Sequence, residues 1–364
     1  MKNARVGAVA NGDRDASRSP LAAAPTRNQT MKRNALLFAT TLIALNILNA
    51  EEATTIRIGH FPNVTHAQAV YAHATGELDK KLGVKVEWST FNAGPSAIEA
   101  LFVNSIDAAY IGPNPAINGY IKSNGQALRI VAGATVGGAA LVVRKDENIA
   151  TDQDFHDKLV ATPQLGNTQD VAARGWFQSK GYKLKEKGGD LTLIPLANPD
   201  QLLLFQKKEI SGAWTVEPWV SRLEIEGGGR IFLEEKTLWP KGEYVTAQLI
   251  VSKKFLDANP TLVGKLIAAH VDITKQINKD KAAAAAIINR ELAKETGKEL
   301  PAAVLSSAMK RLTFNWDPIR SSLKKSAEDA QKAGFYRQVP NLDGIYDLVI
   351  LSKVLKEKGL PSIP

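Results

Sequence analysis

The sequence predicts an α/β fold arranged in two lobes, and three observations lead there. Short β-branched runs alternate with amphipathic segments along most of the chain, the pattern of sheets covered by helices. One layout, running strand, Pro-containing turn, helix, polar corner and strand, occurs twice: in STFNAGPSAIEALFVNSIDAAYIGPNP and again in IPLANPDQLLLFQKKEISGAWTVEPW. No long Gly/Ser or Pro-rich linker divides the chain after its leader, which suits hinged lobes better than independent domains.

The leader holds most of the net charge of +9. Residues 1–50 contain seven basic and two acidic side chains, so the remainder carries 39 Lys and Arg against 35 Asp and Glu, or +4. No dense Lys/Arg cluster interleaved with aromatics remains there, and a nucleic-acid partner is not expected. Residues 1–30 read as a disordered or non-translated extension, with translation able to begin at Met31. MKRNALLFATTLIALNILNA, residues 31–50, has a basic start, an apolar run and Ala50 ahead of Glu51-Glu52, the layout of a secretory signal peptide. The chain has no cysteine, which excludes disulfides, thiol catalysis, thiolate metal sites and a lipid-modified amino-terminal cysteine.

The elements follow in order. TTIRIGHF (54–61) alternates as a first strand, residues 66–78 have helical periodicity, and VKVEWSTF (84–91) is a second strand. A helix begins near Gly94-Pro95, IDAAYI (106–111) is a short buried strand, and a further helix ends at Gly125. LRIVAGAT and AALVVRKD are two more strands. KLVATP (158–163), LTLIPL (191–196) and ISGAWTV (210–216) are strands, separated by helices over 168–182 and 198–209. YVTAQLIVSKKFL (244–256) reads as a strand, and from Asn259 onward the chain is mainly helical, with Pro260 and Pro301 at helix starts. If LVVRK and YVTAQLIVSK both cross between lobes, lobe one is 54–144 plus 246–364 and lobe two is 145–245.

Gly94-Pro95-Ser96, Gly112-Pro113-Asn114 and the turn QLGNTQD (164–170) each mark a helix start beyond a strand end. In open α/β sheets that place is the ligand crevice, and free N–H groups with partial positive charge favour small anions there. Asn167 or Thr168 is expected to cap its helix while Gln169 faces the cleft. Neither GxxxxGK[ST] nor GxGxxG spacing occurs, so nucleotide phosphate is not indicated. His60, His66 and His73 fall close together, but no Cys or clustered Asp/Glu accompanies them, and they read as surface or capping residues rather than metal ligands. GxSxG and HExxH are both absent, so neither an enzyme nor a cofactor is expected.

IGHFPNVTHAQAV, FNAGPSAIEALFVNSIDAAYIGPNPAI, ATPQLGNTQDVAARGW and GAWTVEPWVSRL together resemble periplasmic substrate-binding proteins of ABC importers, most of all the aliphatic sulfonate, taurine and nitrate binders. The resemblance spans about 55–360. It implies a type II-like two-lobed binding protein with two hinge crossovers and a helical carboxyl-terminal region. Such a protein is a periplasmic monomer that closes on a small anionic or zwitterionic solute and docks on a permease. By position it implies ligand contacts from Asn63, Thr65, His66, Gly94, Ser96, Pro113, Asn114, Gly137, Gly138, Asn167, Thr168, Gln169, Glu217 and Trp219. Glu217 is discordant in an anion site: it either binds an ammonium on a taurine-like ligand or pairs structurally with Arg222 or a hinge group. Trp219, after the Pro exit, is the best aromatic candidate for a ligand contact. A sensor protein serving a chemoreceptor and an enzyme resembling pyrimidine-precursor synthases are the alternatives. The synthase branch relies on cysteines that this chain lacks.

Overall fold

The computed structural model describes residues 53–364, so the extension (1–30) and the signal peptide (31–50) lie outside the described residues. The chain runs β1 (Thr55–His60), a 3-10 turn at Val64–His66, α1 (Ala67–Thr75), α2 (Glu77–Leu82), β2 (Lys85–Thr90), α3 (Gly94–Phe102), β3 (Ala108–Ile111), α4 (Pro113–Lys122) and β4 (Leu128–Gly137). It continues as β5 (Ala139–Arg144), β6 (Leu159–Thr162), α5 (Thr168–Ser179), β7 (Thr192–Pro195), α6 (Asn198–Gln206), β8 (Gly212–Val216), α7 (Trp219–Ile225) and β9 (Gly229–Glu234). Then come β10 (Val245–Ser252), α8 (Lys253–Ala258), α9 (Pro260–Lys279), α10 (Lys281–Thr296), α11 (Ala302–Lys310), β11 (Leu312–Phe314), α12 (Arg320–Lys332) and α13 (Val349–Glu357).

The strands form two sheets, ordered β11-β4-β10-β3-β1-β2 and β7-β6-β8-β5-β9. Without the edge strand β11 the two orders correspond strand for strand. Three parallel strands lead, an antiparallel strand from the crossing segment comes fourth, and an antiparallel neighbour completes each sheet. The layout that occurs twice in the sequence therefore occupies equivalent places, β2-α3-β3 in one lobe and β7-α6-β8 in the other.

Helices cover both faces of both sheets. On one face of the first sheet, Ile56, Ile58 and Leu249 join Val70 of α1, Leu266 of α9 and Ile288 of α10. The opposite face packs Ile111 and Ile250 with Ile98, Ile117 and Leu323. Trp214, Phe155 and Phe177 centre one core of the second lobe, and Leu202, Phe205 and Val220 the other. Each such side chain, fully buried, contributes about 1.5–3 kcal/mol.

Several sequence readings need correction. The first crossing between sheets lies at Gly137-Gly138 and not near 144, because Ala139–Arg144 pairs with β8 and β9. Both glycines have positive φ (81° and 78°), and a Cβ on Gly138 would come 2.2 Å from Leu312 Cδ2, so only Gly fits this turn. The helix read over 66–78 breaks at Gly76, whose φ is 60°. The strand read to 256 stops at Ser252, whose hydroxyl accepts from Phe255 N–H at 3.1 Å and starts α8. The short elements α7, β9 and β11 have no counterpart in the sequence reading.

Candidate functional site

Four helices begin at the gap between the lobes: α3 and α4 from the first, α5 and α6 from the second. Their first residues, with the loop after β1 and the start of β10, enclose a cavity of about 30 Å³. Asn63, Thr65, His66, Asn92, Asn167, Thr168, Gln169, Asn198 and Thr246 supply its polar lining, and Phe61, Pro115, Pro163 and Val216 its apolar one. Among the described residues, no Asp, Glu, Lys or Arg lines it. The first turns of α3, α4 and α6 have no side-chain cap, so the N–H groups they have, of Gly94, Ser96, Asn114, Asn198 and Asp200 beside the N–H-less Pro95, Pro113, Pro115 and Pro199, keep their partial charge and hydrogen-bonding capacity.

Most hydrogen bonds around the cavity consume acceptors and leave donors, although Asn92 Nδ2 and Thr246 Oγ1 spend their own donors on Pro163 O and Gly137 O. Asn63 Oδ1 accepts from Trp219 Nε1 at 2.8 Å, which leaves the Asn63 amide N–H groups free. Asn167 Oδ1 caps α5 by accepting from Asp170 N–H at 2.8 Å, and Asn167 Nδ2 donates to Gln169 Oε1 at 3.3 Å. Gln169 Nε2 is thereby left over. Asn198 Oδ1 accepts from the Thr215 hydroxyl at 3.0 Å. His66 Nδ1 accepts from Phe61 N–H at 3.3 Å, and burial, with His60 nearby, pushes the imidazole well below its usual pKa. The ring is therefore neutral with its proton on Nε2, another donor. Thr168 Oγ1 is buried without a partner. A cavity of donors at helix starts, without a fixed cation, suits a desolvated anion.

The lobes meet across this cavity. Asn92 Nδ2 donates to the Pro163 carbonyl at 3.2 Å, and the Trp219–Asn63 bond also spans the two lobes. A Cβ on Gly94 would lie 2.2 Å from Pro115 Cγ, so glycine allows α3 and α4 to start side by side.

Of the residues expected at the site, Asn63, Thr65, His66, Gly94, Asn167, Thr168 and Gln169 line the cavity. The other seven lie outside its lining. Ser96 donates its hydroxyl to Ala93 O at 2.8 Å, and Pro113 is buried in the first turn of α4. Asn114 Nδ2 turns away to Ser326 O on α12 at 3.3 Å. Gly137 and Gly138 form the crossing. Trp219 reaches the site only through Asn63. Glu217 is fully buried, accepting from Ser221 N–H at 3.1 Å and Ser221 Oγ at 2.9 Å, with Arg311 Nε 3.2 Å away. Burial pushes its carboxyl up to about 7. Its ionic partner is Arg311 and not Arg222, which pairs with Glu226. His60 and His66 are buried, not surface residues.

Among the lining residues that the sequence reading missed, Asn92 and Asn198 had a signal, since each adjoins a Pro-led helix start in the repeated layout. Phe61, Val216 and Thr246 had none, because only the closing of two sheets brings them together.

A model of the NMT1-like family matches residues 49–291. The chain belongs to the NMT1-like family. Among curated relatives, the taurine-binding periplasmic protein of Escherichia coli K12 is 24% identical over 243 residues, 66% of this chain and 70% of that one. The alkanesulfonate-binding protein of Xanthomonas axonopodis pv. citri, solved bound to MOPS, superposes with a TM-score of 0.66 at 21% identity, covering 80% of this chain and 96% of that one. The periplasmic nitrate-binding protein of Synechocystis PCC 6803 superposes with a TM-score of 0.73 at 17% identity, over 87% and 93% of the two chains. These likenesses establish the two-lobed binding-protein fold for this NMT1-like chain.

Proposed function

We propose that this NMT1-like protein is a non-enzymatic, periplasmic solute-binding component of an ABC importer that closes on a small oxyanion or alkanesulfonate and presents it to a permease. The lobes are taken as 53–137 with 245–364, and 138–244. The observation that carries the ligand class is the donor-rich, uncharged cavity at four helix starts. Its small volume favours a compact headgroup over a sugar-sized solute. A taurine-like zwitterion fits less well, because Glu217, the one carboxylate expected to meet its ammonium, is turned into the protein against Ser221 and Arg311. The relatives' taurine, alkanesulfonate and nitrate ligands support the same class.

A thermal-shift screen of purified protein, first stripped of carried-over ligand, tests this against alkanesulfonates, taurine, nitrate, bicarbonate, sulfate and neutral solutes. A ligand at a hundredfold excess over its Kd adds about 2.7 kcal/mol, a clear rise in melting temperature. The expected result is a selective rise with one compact anion and a weaker response to taurine. A response confined to neutral solutes would remove the oxyanion reading, and a response strongest for taurine would return an ammonium contact to the cleft.

A further inference from the structure

A second constellation lies inside the first lobe, outside the lining of the cleft cavity. His60 ends β1, His73 lies on α1, and Glu291 and Glu295 lie one turn apart on α10. His60 Nε2 is 3.1 Å from Glu295 Oε1, while His73 Nδ1 is 3.4 Å from that oxygen and 3.3 Å from Glu291 Oε1. His60, His73 and Glu295 each bring one ligand atom within 4.8 Å of the other two. The His60 side chain is 0% exposed, Glu295 9% and Glu291 5%, whereas His73 is 36% exposed and connects the cluster to solvent.

Close as they are, these atoms do not hydrogen-bond to one another. His60 Nε2, His73 Nδ1 and both carboxylate oxygens of Glu295 are buried without a hydrogen-bond partner. His60 Nδ1 lies 3.2 Å from the Phe61 carbonyl, which can only accept, so Nδ1 carries a proton. In the neutral ring the Nε2 lone pair then faces a carboxylate lone pair. A cation between them turns that repulsion into two bonds, and a backbone carbonyl on the far nitrogen is how metal-bound imidazoles are commonly held. The N···O separations also fit, since ligands at 2.0–2.1 Å around a tetrahedral ion stand about 3.3 Å apart. Lys294 takes Glu291 Oε2 at 2.6 Å, which leaves Oε1 on the His73 side. Trp88 walls the cluster, edge-on to His60 at 5.5 Å and stacked on His73 at 5.3 Å between ring centroids.

We propose that His60, His73 and Glu295, with Glu291 as the adjacent fourth ligand, bind a divalent transition-metal ion of the zinc class. Two imidazoles select such an ion over magnesium or calcium, which take oxygen ligands. Bound there, it ties α1 and α10 to the end of β1, the point from which the cleft loop departs.

Untagged full-length protein, treated with chelator and dialysed, is titrated with zinc by calorimetry beside His73→Ala and Glu295→Gln. The expected result is about one zinc per chain, retained through gel filtration, with affinity roughly tenfold or more weaker in each variant and no competition from magnesium. His73 is partly exposed and Gln keeps the shape of Glu, so the metal-free melting temperatures of both variants should stay near that of the unaltered protein. Absence of retained zinc in the unaltered protein, or affinity that survives both substitutions, overturns the assignment.

Discussion

Gly112 has φ −72°, so its own backbone would accept any residue. Its neighbour does not: a Cβ would stand 2.4 Å from Thr168 Oγ1 across the cavity, where the starts of α4 and α5 come together. Gly112→Ala should therefore oppose the closed arrangement and weaken anion binding by roughly tenfold or more, about 1.4 kcal/mol. Calorimetric titration with the responding anion reads this directly, and unchanged affinity would mean that the contact is not needed for binding. Thr168 carries a prediction of opposite signs. Its buried, unpartnered hydroxyl costs the ligand-free closed form about 1–3 kcal/mol and becomes useful only when a ligand accepts from it. Thr168→Val should raise the ligand-free melting temperature while lowering anion affinity about tenfold. Affinity loss without that rise would show that the hydroxyl is already satisfied in the free protein.

At the scale of elements, what was legible in the sequence was what neighbouring residues decide. Pro at the first helical positions announced α3, α4 and α9, and the repeated layout announced two equivalent sheets, because both depend on local backbone chemistry. Gly137-Gly138 was visible as a pair, but its role as the crossing depends on Leu312, far along the chain. Glu217 was recognised as discordant, yet its partner Arg311 arrives from the end of α11 in the other lobe. That arginine also meets Glu224 at 3.2 Å and pairs with Glu234, so one guanidinium joins three carboxylates of the second lobe to a helix of the first. Likewise His60 and His73 were seen without Glu291 and Glu295, since an acidic partner on a distant helix leaves no trace in local spacing. Arg311→Met should lower stability by about 3 kcal/mol, the low end for breaking a buried pair, because Arg311 keeps 22% exposure. Adding Glu217→Gln should recover part of it. Urea unfolding of the two single variants and the double variant measures the coupling, and strictly additive effects would dissociate Glu217 from Arg311.

For the molecule as a whole, buried titratable groups of opposite kinds set the response to acid. Burial pushes Glu217 and Glu235 up to about 7; Glu235 accepts from Trp214 Nε1 at 2.7 Å. Burial also lowers His270 to about 4 and His66 well below its usual value, and His270 is held neutral between Gly133 O at 2.8 Å and Tyr110 Oη at 3.0 Å. Between the ordinary carboxylate range and pH 7, the folded chain binds protons at the two glutamates that the unfolded chain has released. That contribution is complete at low pH and is lost as pH rises through 7. The histidines act in reverse: below about pH 6.5 the unfolded chain takes up protons that the folded chain refuses, so stability falls as pH drops toward 4. The two sets oppose each other over roughly pH 4.5–6.5, and stability should be nearly level there. Glu235→Gln removes one of the glutamates, so its stability should fall relative to the parent on acidification from pH 7 to 5, by up to about 1.4 kcal/mol per pH unit. The slope is the readout, because the added amide N–H groups beside Trp239 change the absolute stability at every pH. Urea midpoints at pH 7, 6 and 5 decide it: diverging curves place the proton on Glu235 in the folded state, and parallel curves remove it.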